Sequence, residues 1–181
     1  MKVLFTMILT LGACGTALAD CPTGEIEGKL TTPLVGMKSE EKPVTDIQST
    51  EGGVWRIYRS HDGTLDTLLR IDGGESGMNE KRLSVLTADA YGISVTRVDY
   101  LRHAFIDEAG PNATAGRKTE YFYYCDGKLY LPPEIYATVG ADYIKAGEVA
   151  QKAMLKDKDI EPIFVNKCAF CHSGNIKEGK L

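Results

Sequence analysis

Long apolar runs are scarce in this sequence. Beyond Asp20 no stretch approaches the roughly 20 apolar residues that a membrane-spanning helix needs. Basic clusters are also missing. With 21 Lys and Arg against 25 Asp and Glu, the formal charge is −4, and no stripe of cations offers itself to a nucleic-acid backbone. Histidine is rare at 3 residues. No serine–histidine–acid set and no paired-carboxylate arrangement stands out. Gly73, Gly74 and Gly77 lie in a polar stretch without the strand-to-helix context that a phosphate-cradling loop requires. A conventional hydrolase or kinase has no support in the sequence, and whether the chain is an enzyme at all is left open, with an electron carrier or binding protein the expectation. What is present is ordinary: 43% hydrophobic and 25% charged residues over 181 positions, enough for one folded domain and too apolar for a disordered chain.

The N-terminus reads as an export signal. Lys2 supplies a positive start, and Val3 to Leu11 is an almost unbroken apolar segment, too short to span a bilayer. Ala17-Leu18-Ala19 before Asp20 is a small-x-small cleavage site, so residues 1–19 are expected to be removed and the protein to be periplasmic or secreted. An alternative reading takes Leu11-Gly12-Ala13-Cys14 as a lipoprotein signal that lipidates Cys14 and anchors the chain at the outer membrane. Export implies an oxidising compartment. After cleavage at Ala19, Cys21, Cys125, Cys168 and Cys171 remain, an even number compatible with two disulfides in three connectivities.

Residues 20–50 are weakly patterned. Ile26, Leu30, Leu34 and Met37 fall at helical intervals interrupted by Pro33, which suggests a short helix or extended lead-in, and Ser39 to Lys42 reads as a loop. Residues 51–131 change character. Val54 to Arg59 is a strand, His61-Asp62-Gly63 a hairpin turn, and Leu65 to Ile71 a return strand with Leu65, Thr67, Leu69 and Ile71 on one face. Asp72 to Gly77 reads as a loop, Lys81 to Thr87 as a third strand, and Ile93 to Ile106 as a long fourth. Gly110 to Gly116 is a loop, Thr119 to Cys125 an aromatic strand, Asp126-Gly127 a tight turn and Lys128 to Leu131 the final strand. Pro132-Pro133 closes the sheet region. A helix is expected from about Asp142, with Asp142 as its N-cap and Tyr143, Gly147, Ala150 and Met154 on one stripe. The fold class is therefore α+β: an antiparallel β-meander followed by a C-terminal helix and tail, with residues 132–181 forming one domain with 51–131.

The tail carries the most specific signal. Cys168-Ala169-Phe170-Cys171-His172 has the spacing of covalent haem attachment, in which two thiols form thioethers with the porphyrin vinyl groups and the next imidazole ligates iron. With Phe164 to Lys167 before it and Ser173-Gly174 after it, the segment resembles the haem-attachment segment of c-type cytochromes. That resemblance implies haem c bound through Cys168 and Cys171, with His172 as the proximal iron ligand. It covers about a dozen residues, and only nine residues follow His172, so upstream elements must house the haem. Late placement of the motif is similar to cytochromes c-prime and P460-type proteins. Residues 51–131 separately resemble a set of uncharacterised exported bacterial β-meander proteins through Gly52-Gly53, Trp55 to Tyr58 and Asp62-Gly63-Thr64-Leu65, echoed at Tyr121 to Tyr124 and Asp126 to Leu129.

Beside the motif histidine the chain has His61 and His103. His61 reads as an exposed turn residue. His103 alternates with Leu101 and Phe105, which makes it a core histidine or the sixth iron ligand. An empty sixth position is an equal expectation and favours small-ligand binding over electron transfer. Met154 and Trp55 read as packing. If haem takes the motif cysteines, Cys21 and Cys125 are left to form a disulfide. Thiol–disulfide exchange at Cys168 and Cys171 lacks the surrounding βαβ pattern, and zinc lacks a fourth ligand. The expectation is an exported monohaem c-type protein acting in one-electron transfer or small-ligand sensing, its redox partner and oligomeric state undefined. The runner-up is a non-enzymatic exported β protein held by two disulfides.

Overall fold

The computed structural model describes residues 21–46, 51–101, 114–158 and 160. Seven strands run β1 (Ser39–Pro43), β2 (Gly53–Arg59), β3 (Leu65–Gly74), β4 (Gly77–Thr87), β5 (Ala90–Tyr100), β6 (Thr114–Cys125) and β7 (Lys128–Tyr130). They form one open sheet in sequence order, every neighbour antiparallel. Helix α1 (Thr23–Thr31) precedes the sheet and α2 (Pro133–Leu155) follows it. The antiparallel meander and the helix after it agree with the α+β expectation.

Alternation along the strands gives the sheet two apolar faces, and each helix covers one of them. On the first face Trp55, Ile57, Leu68, Leu83, Tyr91, Ile93, Phe122 and Tyr124 pack with Ala150 and Met154 of α2. Eight of these side chains, Trp55, Ile57, Leu68, Leu83, Ile93, Phe122, Tyr124 and Met154, are at most 1% exposed, and burial of each contributes on the order of 2 kcal/mol. On the opposite face Ile26 and Leu30, one helical turn apart in α1, pack with Ala90, Tyr123 and Cys21. Cys21 and Cys125 are joined by a disulfide with Cα atoms 5.9 Å apart, which fixes the start of α1 to the end of β6. The other end of α1 is held by Arg82, whose guanidinium donates to the carbonyls of Lys29 (2.6 Å) and Thr32 (2.8 Å) and so satisfies helix-terminal acceptors. Gly92 lets the helix approach. A Cβ there would stand 2.4 Å from Ile26 Cγ2 and 2.7 Å from Leu30 Cδ1.

Several boundaries differ from the sequence reading. Ser39 to Lys42 is not a loop but part of edge strand β1, whose charges and terminal Pro43 suit an unpaired edge. The expected loop at Asp72 to Gly77 is instead a hairpin end: Gly74 pairs with Gly77, leaving only Glu75 and Ser76 to turn. Strand β6 begins at Thr114, inside the segment read as a loop, because its long partner β5 extends the ladder. Leu65 leaves the face of Thr67, Leu69 and Ile71. A register shift skips Asp66, with Tyr58 opposite Thr67 and Arg59 opposite Leu65, and Leu65 joins the α2-side cluster. Helix α2 starts at Pro133, not Asp142. Proline lacks the N–H that the first turn leaves unpaired, so it initiates this helix, and a non-helical Val139 marks a kink before the expected start. Asp142 is therefore within the helix and caps nothing. The turn at Asp126-Gly127 has positive φ at both residues (53° and 72°), the two-residue hairpin geometry that Asp-Gly favours.

Substituting Gly92→Ala should push α1 off the sheet and lower stability by about 1–3 kcal/mol in denaturant unfolding, the range for overpacking. Replacing Cys21 and Cys125 together with serine opens a closure of sequence separation 104. That loss should lower stability by about 2–4 kcal/mol, readable as a lower midpoint with cooperative unfolding retained.

Candidate cofactor-binding site

Registration across the sheet brings one row of residues onto the α2 face. Lys42 pairs with Trp55, Trp55 with Arg70, Arg70 with Lys81, Lys81 with Val95 and Val95 with Glu120. The row immediately beneath α2 is apolar: Ile57, Leu68, Leu83, Ile93 and Phe122. The charged row therefore lies where α2 ceases to cover the sheet.

At one end of the row Arg70 organises a buried ion cluster. Its Nε donates to both carboxylate oxygens of Asp72 (2.7 and 3.0 Å), Nη2 to Asp46 (2.8 Å) and Nη1 to Asp157 (3.0 Å). Lys81 Nζ donates to Asp72 at 3.0 Å, and the guanidinium carbon lies 5.2 Å from the Trp55 ring centroid. Burial works against the Arg70 charge, but the Asp46 and Asp72 carboxylates outweigh it and hold its pKa above the ordinary value. Hydrogen bonding to Arg70 in turn lowers the Asp46 pKa. Asp157 lies just beyond α2, and its side chain is 3% exposed. Ile160, three residues on, is fully buried in the same core cluster. The cluster thus pins the segment that leaves α2 onto the sheet. The Trp55 Nε1 donor is buried without a hydrogen-bond acceptor among the described residues.

Further along the row a groove of about 370 Å³ opens between α2 and strands β4–β6. Val95, Phe122, Ala146, Val149 and Ala150 give it an apolar lining, and Lys81, Glu120, Asp142 and Lys145 stand around it as charged groups. The wall is set by how α2 docks. Gly147 sits against Leu129 and Phe122, where a Cβ would meet Leu129 Cδ2 at 2.7 Å. The Tyr124 hydroxyl donates to the Gly147 carbonyl (2.7 Å), the Tyr143 hydroxyl to the Tyr121 carbonyl (2.9 Å), and Gln151 Nε2 to the Tyr91 hydroxyl (2.7 Å). Burial pushes the Tyr91 and Tyr143 phenols up to about 12, so both stay neutral donors or acceptors at any physiological pH.

The motif residues Cys168, Cys171 and His172, the histidine His103 and the N-terminal Cys14 lie outside the described residues. His61 is exposed in the β2–β3 turn. Of the methionines in the described residues, Met154 on α2 is fully buried and Met37 is 41% exposed. Among the described residues no group of three or more His, Cys, Asp or Glu could hold a metal ion, and no helix is long and apolar enough to cross a membrane. The groove offers an apolar surface bordered by two lysines and two carboxylates, and none of its lining residues is a histidine, cysteine or methionine. Sequence reasoning missed the Arg70 cluster. Its signal was two charges two residues apart, Arg70 and Asp72, within an otherwise apolar strand, which places both on one buried face.

No family model, curated protein or solved structure matches the chain.

Substituting Arg70→Met should lower stability by about 3–5 kcal/mol at pH 7, because it leaves buried carboxylates uncompensated. Asp46 has a depressed folded pKa, so its contribution is present above the unfolded value of about 3.9 and fades as pH falls. The gap between wild type and Arg70→Met should therefore hold down to about pH 4 and narrow as the pH falls below it in urea titrations. A gap that stays constant or widens on that further acidification would show that carboxylate charge is not what Arg70 offsets.

Proposed function

We propose that the chain is an exported monohaem c-type protein that serves in one-electron transfer or small-ligand binding. The observation that carries this reading is the Cys21–Cys125 disulfide. With Cys14 lost in the expected cleavage after Ala19, it uses the two remaining cysteines outside the motif and leaves Cys168 and Cys171 with each other, beside His172. Cys168 and Cys171 would hold the haem through thioethers formed by adding each S–H to a vinyl group, and His172 would ligate its iron. When bound, the haem provides an iron centre that exchanges one electron or takes a small ligand at an open position. A buried disulfide also suits an oxidising compartment, in keeping with removal of residues 1–19 on export. Anchoring through Cys14 is the alternative placement.

Within this reading the chain's own residues supply the housing. Asp157 and Ile160 fix where the tail departs, eight residues before Cys168. The same disulfide leaves a runner-up, a non-enzymatic β protein in which Cys168 and Cys171 are joined to each other.

The protein matured with a periplasmic haem-attachment system should be red. It should give a c-type pyridine haemochrome spectrum and a mass equal to polypeptide plus one haem. A colourless product with the mass of the bare polypeptide, together with a peptide linking Cys168 to Cys171, would establish the runner-up instead.

A further inference from the structure

We propose that the outer edge of β6 is the pairing surface for a second copy of this chain, set antiparallel about a twofold axis at Thr119, so that two seven-stranded sheets join into one. This surface has no part in the haem reading, and neither depends on the other.

The first observation is an edge that the fold leaves open. Of the 12 residues of β6, only Tyr123, Tyr124 and Cys125 are paired with β7. Cys125 and Lys128 flank a two-residue turn, so their backbone groups point at each other. Backbone direction alternates along a strand. Tyr121, Thr119 and Arg117 therefore aim their N–H and C=O groups the same way as Cys125, beyond the end of β7. Among the described residues no strand meets them there, and the Tyr143 hydroxyl takes one lone pair of the Tyr121 carbonyl. The side chains of Thr114 to Lys118 and of Glu120 are exposed. The other edge of the sheet is guarded by brevity and proline, since β1 has 5 residues and ends in Pro43.

The second observation is a register that fits itself. Antiparallel copies about a twofold place residues of one face opposite each other, so the axis must fall on a residue. An axis at Arg117, Lys118 or Glu120 would set that charge against its own copy. An axis at Thr119 sets no like charges opposite. Lys118 then stands opposite the partner's Glu120, and Glu120 opposite the partner's Lys118. Within one chain Lys118 Nζ already donates to Glu120 at 2.7 Å. An ammonium has three donors and a carboxylate several acceptor sites, so the four groups close into a ring of alternating sign. On the other face Arg117 lies opposite the partner's Tyr121, a cation beside an aromatic ring, and the symmetry repeats the pair. Gly116 falls opposite the partner's Phe122 and has open space where a Cβ would be. Charges on a strand edge ordinarily deter pairing. Here their alternation admits one register. The next position along is Tyr123, which β7 already pairs, so the joint is short and the dimer dissociates on dilution.

Sedimentation of the full chain from about 10 μM to about 1 mM should show a reversible monomer–dimer equilibrium. Lys118→Glu and Glu120→Lys should each raise the dissociation constant about tenfold or more, because each sets like charges opposite across the axis. Their equimolar mixture should recover the dimer as the mixed species, in which every pair is again of opposite sign. Thr119→Pro removes an N–H that points away from β5, so it should abolish the dimer while cooperative unfolding is retained. Thr119→Ala keeps that N–H and loses only the hydroxyl contact to Thr96 (2.9 Å), so it should remain dimeric. If Thr119→Pro does not fold, the mixture of charge variants decides. A chain that is monomeric over the whole range overturns the proposal. Fast amide exchange at Arg117 and Thr119 in that monomer would leave the edge to a different protein, and slow exchange would show that the chain covers it itself. A dimer that persists in Thr119→Pro or is unmoved by both charge variants overturns pairing through β6. Charge variants that weaken the dimer without recovery on mixing overturn the register at Thr119.

Discussion

Both helices are held by one short stretch of strand, Tyr121 to Cys125 in β6. Its side chains alternate between the faces of the sheet. Phe122 and Tyr124 point to α2, and Tyr124 stacks on Tyr91 with ring centroids 4.7 Å apart while its hydroxyl reaches the Gly147 carbonyl. Tyr121 and Tyr123 lie on the other face with α1, where the Tyr123 hydroxyl donates to Glu27 at 2.7 Å. Burial, and then the Glu27 carboxylate that accepts this bond, raise the Tyr123 pKa, so the phenol keeps its proton. Cys125 ends the run in the disulfide. An open meander exposes two faces, and a single helix can bury only one of them. Anchoring both helices to the same five residues is what makes the two half-cores one domain.

That arrangement also decides where cover runs out. Helix α2 lies over the apolar row of Leu83, Ile93 and Phe122, and the adjacent row carries Arg70, Lys81 and Glu120. Charges on a sheet face need partners or water. Arg70 is partnered by Asp46, Asp72 and Asp157, so the sheet is sealed there by ion pairs rather than by hydrocarbon. Such a cluster adds little net stability compared with apolar packing of the same volume, but it is directional. It holds Asp157 against one strand and Ile160 in one pocket of the core, which a greasy contact alone would define less sharply.

The legible part of the fold was whatever period and turn chemistry dictate. Alternation in Val54 to Arg59 and Tyr121 to Cys125, the Asp-Gly turns, and the stripe Tyr143, Gly147, Ala150 and Met154 all carry local signals that survive into the structure. What was illegible depended on partners remote in sequence. Ser39 to Pro43 has no strand propensity to speak of, and it is a strand because β2 offers it an edge. The start of β6 follows from the length of β5. The face of Leu65 follows from a bulge that no local rule announces. The groove was equally invisible, since Lys81, Val95, Glu120 and Lys145 come together only through register across three strands and the docking of α2. The motif was the reverse case. Its proposed chemistry is read from five consecutive residues, and the register of the sheet says nothing about it.

The joining of Cys21 to Cys125 changes the weight of the cysteine arithmetic. Before it, the four cysteines expected after cleavage at Ala19 allowed three disulfide pairings, and an even count favoured neither haem nor disulfides. With that pair taken, and with Cys14 lost as proposed, the motif cysteines have only each other, so the runner-up must close a ring between residues three apart in the sequence. A crosslink that short removes little chain entropy from the unfolded state. It would do little for a domain whose long closure is already provided by the first disulfide. That small entropic return is why the haem proposal looks to chemistry at the sulfurs rather than to stability. The adjacent His172 completes the Cys-x-x-Cys-His spacing on which the proposed haem attachment rests.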